Sequence, residues 1–472
     1  MQKLVYLTAL IAVSVWAQID VSRLSADALK ADVSFLASDA LRGRGTPSPG
    51  LEIAGEFIAS QFRRAGLEPV GDDGYFQTAA FESVNPNPEG LAFTIVSERG
   101  AVSAKGTAMA ILQASAVDLR KAAVVKVGAG ELAGVTREQV DGKVLAIDSV
   151  DGQNLVIVLR QLPVLVAKLR PALVVLLPKA GLPSDMPPRV REVSTGTAVV
   201  PVMVIWDEDV RAALSPEASV SVHIAAPLVV PVKLRNLIGV LRGSDPALRD
   251  TYVLVTAHYD HLGVRGTGEG DRINNGANDD ASGTASVIEI ANTLASLAAR
   301  PKRSIVFMAF FGEEQGLLGS RYYAAHPVFL LAKTVADFNL EHMGRTDVDG
   351  GTSVGLVNVT GFDYSTVTDA VVKAGTQVGV KVVKNERLNE RIFNGSDNYS
   401  LAEAGVPAHS MSVGYIFPDY HKPGDEWTKL DYANMALVDR AVAVYAVADS
   451  TEAPQWKDIP QTQKYIKARQ AQ

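Results

Sequence analysis

The chain has 472 residues, 47% hydrophobic and 21% charged, the composition of a soluble globular protein with room for two or three domains at roughly 100–200 residues each. Its formal net charge of −7, with no Lys/Arg-rich block, argues against a nucleic-acid or anionic-membrane partner. Cysteine is absent, which excludes disulfides, zinc–thiolate sites and a lipid anchor on cysteine, so any metal site must be built from His, Asp and Glu.

The N-terminus reads as a signal peptide over 1–17. After Lys3 comes the short apolar run "LVYLTALIAVSV", and Val15 and Ala17 satisfy the small-residue rule before a cut following Ala17. The run is too short to favour a membrane span. The remainder is expected to be exported, to the periplasm or the medium, and free of the membrane.

Residues 22–70 carry apolar residues at three-to-four spacing in "DALKADVSFLASDAL" and "GLEIAGEFIASQFRRAGL". This predicts two helices separated by the loop "RGRGTPSPG", the second stopping at Gly66. From about 91 to 232 the texture changes to short β-branched runs, "KVLAIDSV", "NLVIVL", "ALVVLLP", "AVVPVMVIW" and "ASVSVHIAAP". Gly, Pro and Asp punctuate them, as in a small β-rich module inserted into the chain.

Beyond 233 strands and helices alternate. "TYVLVTA", "SIVFMAFF", "TVADFNLE" and "VPAHSMSV" read as strands. "SGTASVIEIANTLASLAA" reads as a helix burying Val287, Ala291, Leu294 and Ala298, and a final helix is expected at about 431–449, with 451–472 as a tail. Such alternation predicts an α/β fold, a mostly parallel central sheet with helices on both faces, whose ligands collect at the carboxyl ends of the strands.

Each of those ends carries a metal-capable residue. "TYVLVTAHYDHLG" ends on His258, with Asp260 two residues on. "NNGANDDASG" places Asp279 and Asp280 in a turn before a helix, "FFGEEQG" supplies Glu313 and Glu314, "DFNLEHMG" supplies Glu341, and "DYHKPGDEW" supplies His421. Singly these are unremarkable: aspartate before a helix is usually a cap, and paired glutamates are usually solvated charge. Jointly, two imidazoles and several carboxylates converge where this fold class places its active sites. Mixed His/carboxylate ligation suits zinc and similar divalent ions. Five ligands for two ions require one bridging carboxylate, as in hydrolases whose paired ions activate a water near neutral pH.

The ordered set H-x-D, [ND]-D-[DN]-A-S-G, G-E-E, N-x-[DE]-x-x-G and Y-H resembles the co-catalytic dizinc aminopeptidases, which include secreted bacterial leucyl aminopeptidases and, more distantly, glutamate carboxypeptidases. The likeness covers about 235–450 and extends to "FLASDALRGRGTPSPG"; the β-rich insert resembles a protease-associated domain. The resemblance implies two zinc ions per chain and a peptide substrate. It assigns His258 and Glu341 to one zinc, Glu314 and His421 to the other, and Asp279 to both. It makes Asp260 the partner that orients His258, Glu313 the general base, and Tyr420 a stabiliser of the tetrahedral oxyanion. Asp280 is then a neighbour and not a ligand. Many members carry Asp where this chain has Glu341, and the adjacent His342 is a conceivable substitute. His261 and His409 read as structural.

"GGTSVG" at 350–355 fits a serine-nucleophile pattern, but a polar turn precedes Ser353 and a strand-like run follows it, the reverse of what such an elbow needs. A metal-free binding protein of the same fold is a second alternative, though all five expected ligands are present. Among peptidases, the carboxypeptidase relatives that form tight dimers carry a further C-terminal helical domain, and this chain ends soon after the core. An aminopeptidase, as a monomer, is therefore expected ahead of a carboxypeptidase or dipeptidase.

Overall fold

The computed structural model describes residues 21–472 apart from 99, 151–157, 159–161, 163, 179–188, 194–199, 267–268, 349–350 and 449–450. The segment 1–17, read above as a signal peptide, lies outside these residues. Two amphipathic helices come first. Ser25 caps α1 (Ala26–Leu36) by accepting from the Ala28 amide, and Leu29, Val33 and Leu36 recur on its buried side. Ser48 does the same for α2 (Pro49–Arg64), accepting from the Leu51 amide, and proline occupies the first turn, where no helical bond is lost. Gly66 follows with φ +71°, the left-handed conformation that ends a helix at little cost only without a β-carbon.

The main body continues with β1 (Phe76–Asn85), β2 (Arg189–Glu192), β3 (Leu228–Leu241), β4 (Tyr252–His258) and α3 (Ser282–Ala295). After these come β5 (Ser304–Phe310), α4 (Leu318–Ala325), β6 (Thr334–Leu340), β7 (Leu356–Val359), α5 (Val367–Val378), β8 (Lys381–Val383), β9 (Ala408–Ser412), α6 (Tyr432–Ala448) and α7 (Gln463–Gln470). The sheet order is β8-β7-β9-β6-β4-β5-β3-β1-β2. Its centre, β9-β6-β4-β5, is parallel. Antiparallel pairing takes over at β5-β3-β1-β2 and between β7 and β9. The expected mostly parallel sheet is therefore a mixed sheet with a parallel centre.

Strand alternation puts helices on both faces. Val253 and Val255 of β4, with Ile305 and Phe307 of β5, pack against α1, α2, α3, α5 and α6. Leu254, Val306 and Met308 point the other way, toward Tyr323 of α4 and Tyr465 of α7. Two expectations change here. Ala298 is exposed, because α3 ends at Ala295 and the chain turns back toward β5. The stretch read as a tail folds into α7, anchored by Trp456 stacked on the buried Tyr465 at 4.9 Å between ring centroids.

Between β1 and β3 the chain builds a second sheet of eight strands from Ala92–Ser97 to Ser219–Ile224. Of the predicted runs, four appear as Val144–Asp148, Leu173–Leu177, Val202–Ile205 and Ser219–Ile224. The run at 154–159 lies outside the described residues save Val158, which is helical. Alternation again splits the core: Ala146, Val175 and Met203 face one side, Ile147, Leu176 and Val204 the other. β2 lies within this stretch of sequence yet joins the edge of the main sheet beside β1. Among the described residues no helix is long and apolar enough to cross a membrane.

One buried charge makes a stability prediction. Asp439 of α6 is fully buried beside Ser286 and Glu289 of α3, and burial pushes its carboxyl up to about 8. Unfolded, it titrates near 3.8, so the folded state holds an extra proton between those values. Stability from this group is full below the lower value and falls as pH rises to the upper one. Asp439→Asn carries no charge to bury and is expected to unfold less readily than the parent at pH 9, by roughly 2–5 kcal/mol. Thermal unfolding of both at pH 4 and pH 9 checks this; an equal gap at both pH values contradicts it.

Candidate metal centre

Because the central strands are parallel, their carboxyl ends meet along one edge, and the polar residues the chain places there converge. β4 ends on His258. Past β5, Gly312 takes φ +67° and turns the chain into a short helical turn, Glu313–Gln315. Glu341 follows β6 directly, its amide donating to the Met411 carbonyl of β9 at 3.0 Å. The loop after β9 returns with His421, and the irregular turn 277–281 brings Asp279 in at the start of α3.

Asp279 is the hub. Its Oδ1 lies 3.3 Å from His258 Nε2 and 3.5 Å from His342 Nε2. Its Oδ2 lies 3.1 Å from His421 Nε2. Glu314 Oε2 stands 3.5 Å from the same His421 nitrogen, and Glu341 Oε1 stands 3.8 Å from His342 Nε2. The two oxygens of one carboxylate thus face two groups of donors, His258 on one side and His421 with Glu314 on the other. His342 and His421 both hold positive φ, +55° and +58°. Non-glycine residues rarely adopt that conformation, and it clusters at functional sites.

The electrostatics suit cations. Burial would raise the Asp279 carboxyl, yet His342, His261 and His258 outweigh it and hold the group well below the usual carboxylate range. Burial opposes a charged His258, but Asp260 and Asp279 prevail and push it well above the usual histidine value. The adjacent glutamates diverge. Burial, reinforced by Glu314, Glu341 and Asp397 against an opposing His258, drives the Glu313 carboxyl well upward. Burial and Asp279 press Glu314 the same way, but His421 and His261 reverse the sign and lower it. The pair is two chemically distinct carboxylates.

A surrounding frame fixes these groups. His258 Nδ1 faces the main-chain oxygen of Asp260 at 3.1 Å, nearer than the Asp260 carboxylate at 3.5 Å. That carboxylate accepts instead from the Thr46 hydroxyl at 3.0 Å and the Glu313 amide at 3.1 Å, so it ties β4, the N-terminal loop and the paired glutamates together. Arg44, wholly buried, donates to the carbonyls of Tyr259, Leu36, Asn275 and Gly276. Asp425 accepts from the amides of Asn278 and Asp279. Asp280 accepts from the amides of Gly283 and His342 through Oδ1. The Gln315 side chain accepts from the Val190 amide of β2 and donates to the Thr46 carbonyl.

Of the residues singled out from sequence, His258, Asp279, Glu314, Glu341 and His421 come together, with Asp260 and Glu313 adjoining. Tyr420 lies at the mouth, 39% exposed, its ring stacked on His421 at 3.9 Å. His409 is a core residue, its two ring nitrogens 2.7 Å from the Thr360 carbonyl and the Ser365 hydroxyl, and burial lowers it to about 4. Ser353 is followed by strand β7, not by the helix a nucleophile elbow requires. The reading of His261 as structural changes, since it stands inside the cluster. Tyr415 also lines the cluster, buried with its hydroxyl unpartnered among the described residues and its carbonyl 3.2 Å from His342 Nδ1. The second histidine in "HYDH" was the available sign for the first; Tyr415 carried none.

The residues fit divalent metal. His258 Nε2, His342 Nε2, Glu314 Oε1 and Glu341 Oε2 are buried without hydrogen-bond partners among the described residues. Buried polar atoms in that state are costly unless something satisfies them. The donor set is nitrogen and carboxylate oxygen, as zinc prefers.

Residues 236–446 match peptidase family M28. A probable zinc metalloprotease of Pyrenophora tritici-repentis is 36% identical over 127 residues, 27% of this chain and 28% of that protein. Aminopeptidase YwaD of Bacillus subtilis is 29% identical over 197 residues, 40% of this chain and 39% of that one. These matches span well under half the length of either relative. Among solved structures, an aminopeptidase from Aneurinibacillus sp. strain AM-1 superimposes with a TM-score of 0.60 at 21% identity, over 93% of this chain and 96% of that one. At that identity the likeness is one of fold.

Proposed function

Because residues 236–446 match peptidase family M28, we propose that the protein is a zinc-dependent exopeptidase, an aminopeptidase that removes N-terminal residues from peptides. The observation that carries this is the hub at Asp279, one buried carboxylate whose two oxygens face histidines from different elements. His258, Glu341 and Asp279 would hold one zinc, and Asp279, Glu314 and His421 a second. Bound there, zinc polarises the scissile carbonyl and acidifies water near neutral pH.

The chain's own residues supply the rest. Asp260 fixes the tautomer and orientation of His258 through its main-chain oxygen, the support metal-binding histidines normally have. Glu313 takes a proton from the attacking water and returns it to the leaving amine, a role that needs a carboxylate beside the metals but off them. Tyr420, at the mouth, donates its hydroxyl to the carbonyl oxygen as charge develops there. The second sheet would be a protease-associated insert over 91–232. Residues 1–17 would direct export to the periplasm or medium, and the mature chain would act as a monomer on peptides.

A carboxypeptidase or dipeptidase reading differs only in which end of the substrate is gripped, and a metal-free binding protein differs in having no turnover. One panel separates them: dipeptides with free, N-acetylated and C-amidated ends, incubated with the zinc-loaded protein. Loss of cleavage on acetylation alone is the expected result. Loss on amidation alone indicates a carboxypeptidase, and loss on both a dipeptidase. No cleavage of any member removes the catalytic reading.

A further inference from the structure

We propose that His261 is a third histidine ligand of this centre, joining Asp279 and Glu314 around one ion. The inference rests on the zinc-dependent reading above and extends it to a residue outside the five ligands that reading names. The side chain of His261 is 0% exposed, and neither ring nitrogen has a well-formed hydrogen bond among the described residues. Its Nδ1 stands 2.7 Å from Glu314 Oε1 and 3.9 Å from Asp279 Oδ1. One donor atom from each of His261, Asp279 and Glu314 falls within 4.8 Å of the other two, a compact set among the described residues.

The contact with Glu314 discriminates between two roles. At 2.7 Å the two atoms are within hydrogen-bond reach and His261 lowers the Glu314 carboxyl, but the contact falls short of a well-aligned hydrogen bond. Zinc bonds of about 2.0–2.2 Å at tetrahedral angles place neighbouring ligand atoms about 3.3–3.6 Å apart, so this pair opens by under about 1 Å to share an ion. Glu314 then serves two imidazoles, Oε1 toward His261 and Oε2 toward His421. Those rings lie 5.8 Å apart at 72°, entering the cluster from different directions. Gly276, with φ +59°, leaves room for the His261 ring, since a β-carbon there would meet its Cδ2 at 2.5 Å.

The test is zinc-edge X-ray absorption, which counts imidazoles from their outer-shell scattering, with metal analysis after dialysis, on the parent and His261→Phe. The expected result is loss of one imidazole's scattering, with one ion bound at least about tenfold more weakly. Unchanged imidazole scattering overturns the proposal, whatever happens to affinity, because His261 would then only support Glu314 from outside. His261→Asn, whose amide oxygen falls near the Nδ1 position, covers the case in which the phenylalanine variant does not fold. It is expected to keep both ions and lose the same scattering, and unchanged scattering overturns the proposal equally. A parent protein that binds no zinc overturns the metal reading itself; a parent that binds zinc with His261 absent from its scattering overturns this inference alone.

Discussion

Glu313→Ala is expected to lower peptide turnover by roughly 10²–10⁴-fold, the usual contribution of a positioned general base, while the protein keeps its zinc. The reasoning starts from the backbone. β5 ends, Gly312 swings the chain through a left-handed turn, and the next two side chains leave in different directions. Glu314 goes to His421 and His261 and is lowered by them. Glu313, whose amide is pinned on Asp260, sits among carboxylates in a setting that pushes its carboxyl upward and makes it a stronger base than its neighbour. A carboxylate held off the metals yet beside them is placed to carry a proton. Steady-state kinetics with metal analysis on one preparation checks this; retained turnover contradicts it.

Asp279→Asn is expected to weaken both zinc positions together, because each Asp279 oxygen serves a different group of histidines. The loss should exceed the roughly 10–100-fold that removal of a mere supporting residue causes. The amide that anchors the turn, donating to Asp425 at 3.1 Å, survives the substitution, so the fold around the site is retained. Isothermal titration with zinc provides the measurement. Loss of one ion with the other unaffected would place Asp279 on a single metal and end its role as the bridge.

Much of this site was legible in the sequence because its ligands sit at strand ends, where an apolar run stops on a polar residue. His258, Glu314 and Glu341 announce themselves that way, and Asp279 sits in a Gly/Asn-rich turn before a helix. The frame was not legible. Arg44 lies more than two hundred positions from the carbonyls of Tyr259, Asn275 and Gly276 that it braces, and no local pattern encodes such a contact. His261 looked like a loop residue because its partner Glu314 arrives from another strand. The mixed character of the sheet was hidden for the same reason. β1 and β3 pair antiparallel across the whole second sheet that lies between them in the chain, a contact no local pattern encodes. In α3 the apolar period runs on to Ala298, but the turn toward β5 ends the helix at Ala295, so period alone overran the boundary.

The division of labour between two adjacent carboxylates is the centre of the account, and zinc content measured side by side in Glu313→Ala and Glu314→Ala tests it most directly. The account predicts that the first variant retains as much zinc as the parent and that the second loses the ion beside His421. Zinc lost from Glu313→Ala, or retained in full by Glu314→Ala, would contradict it.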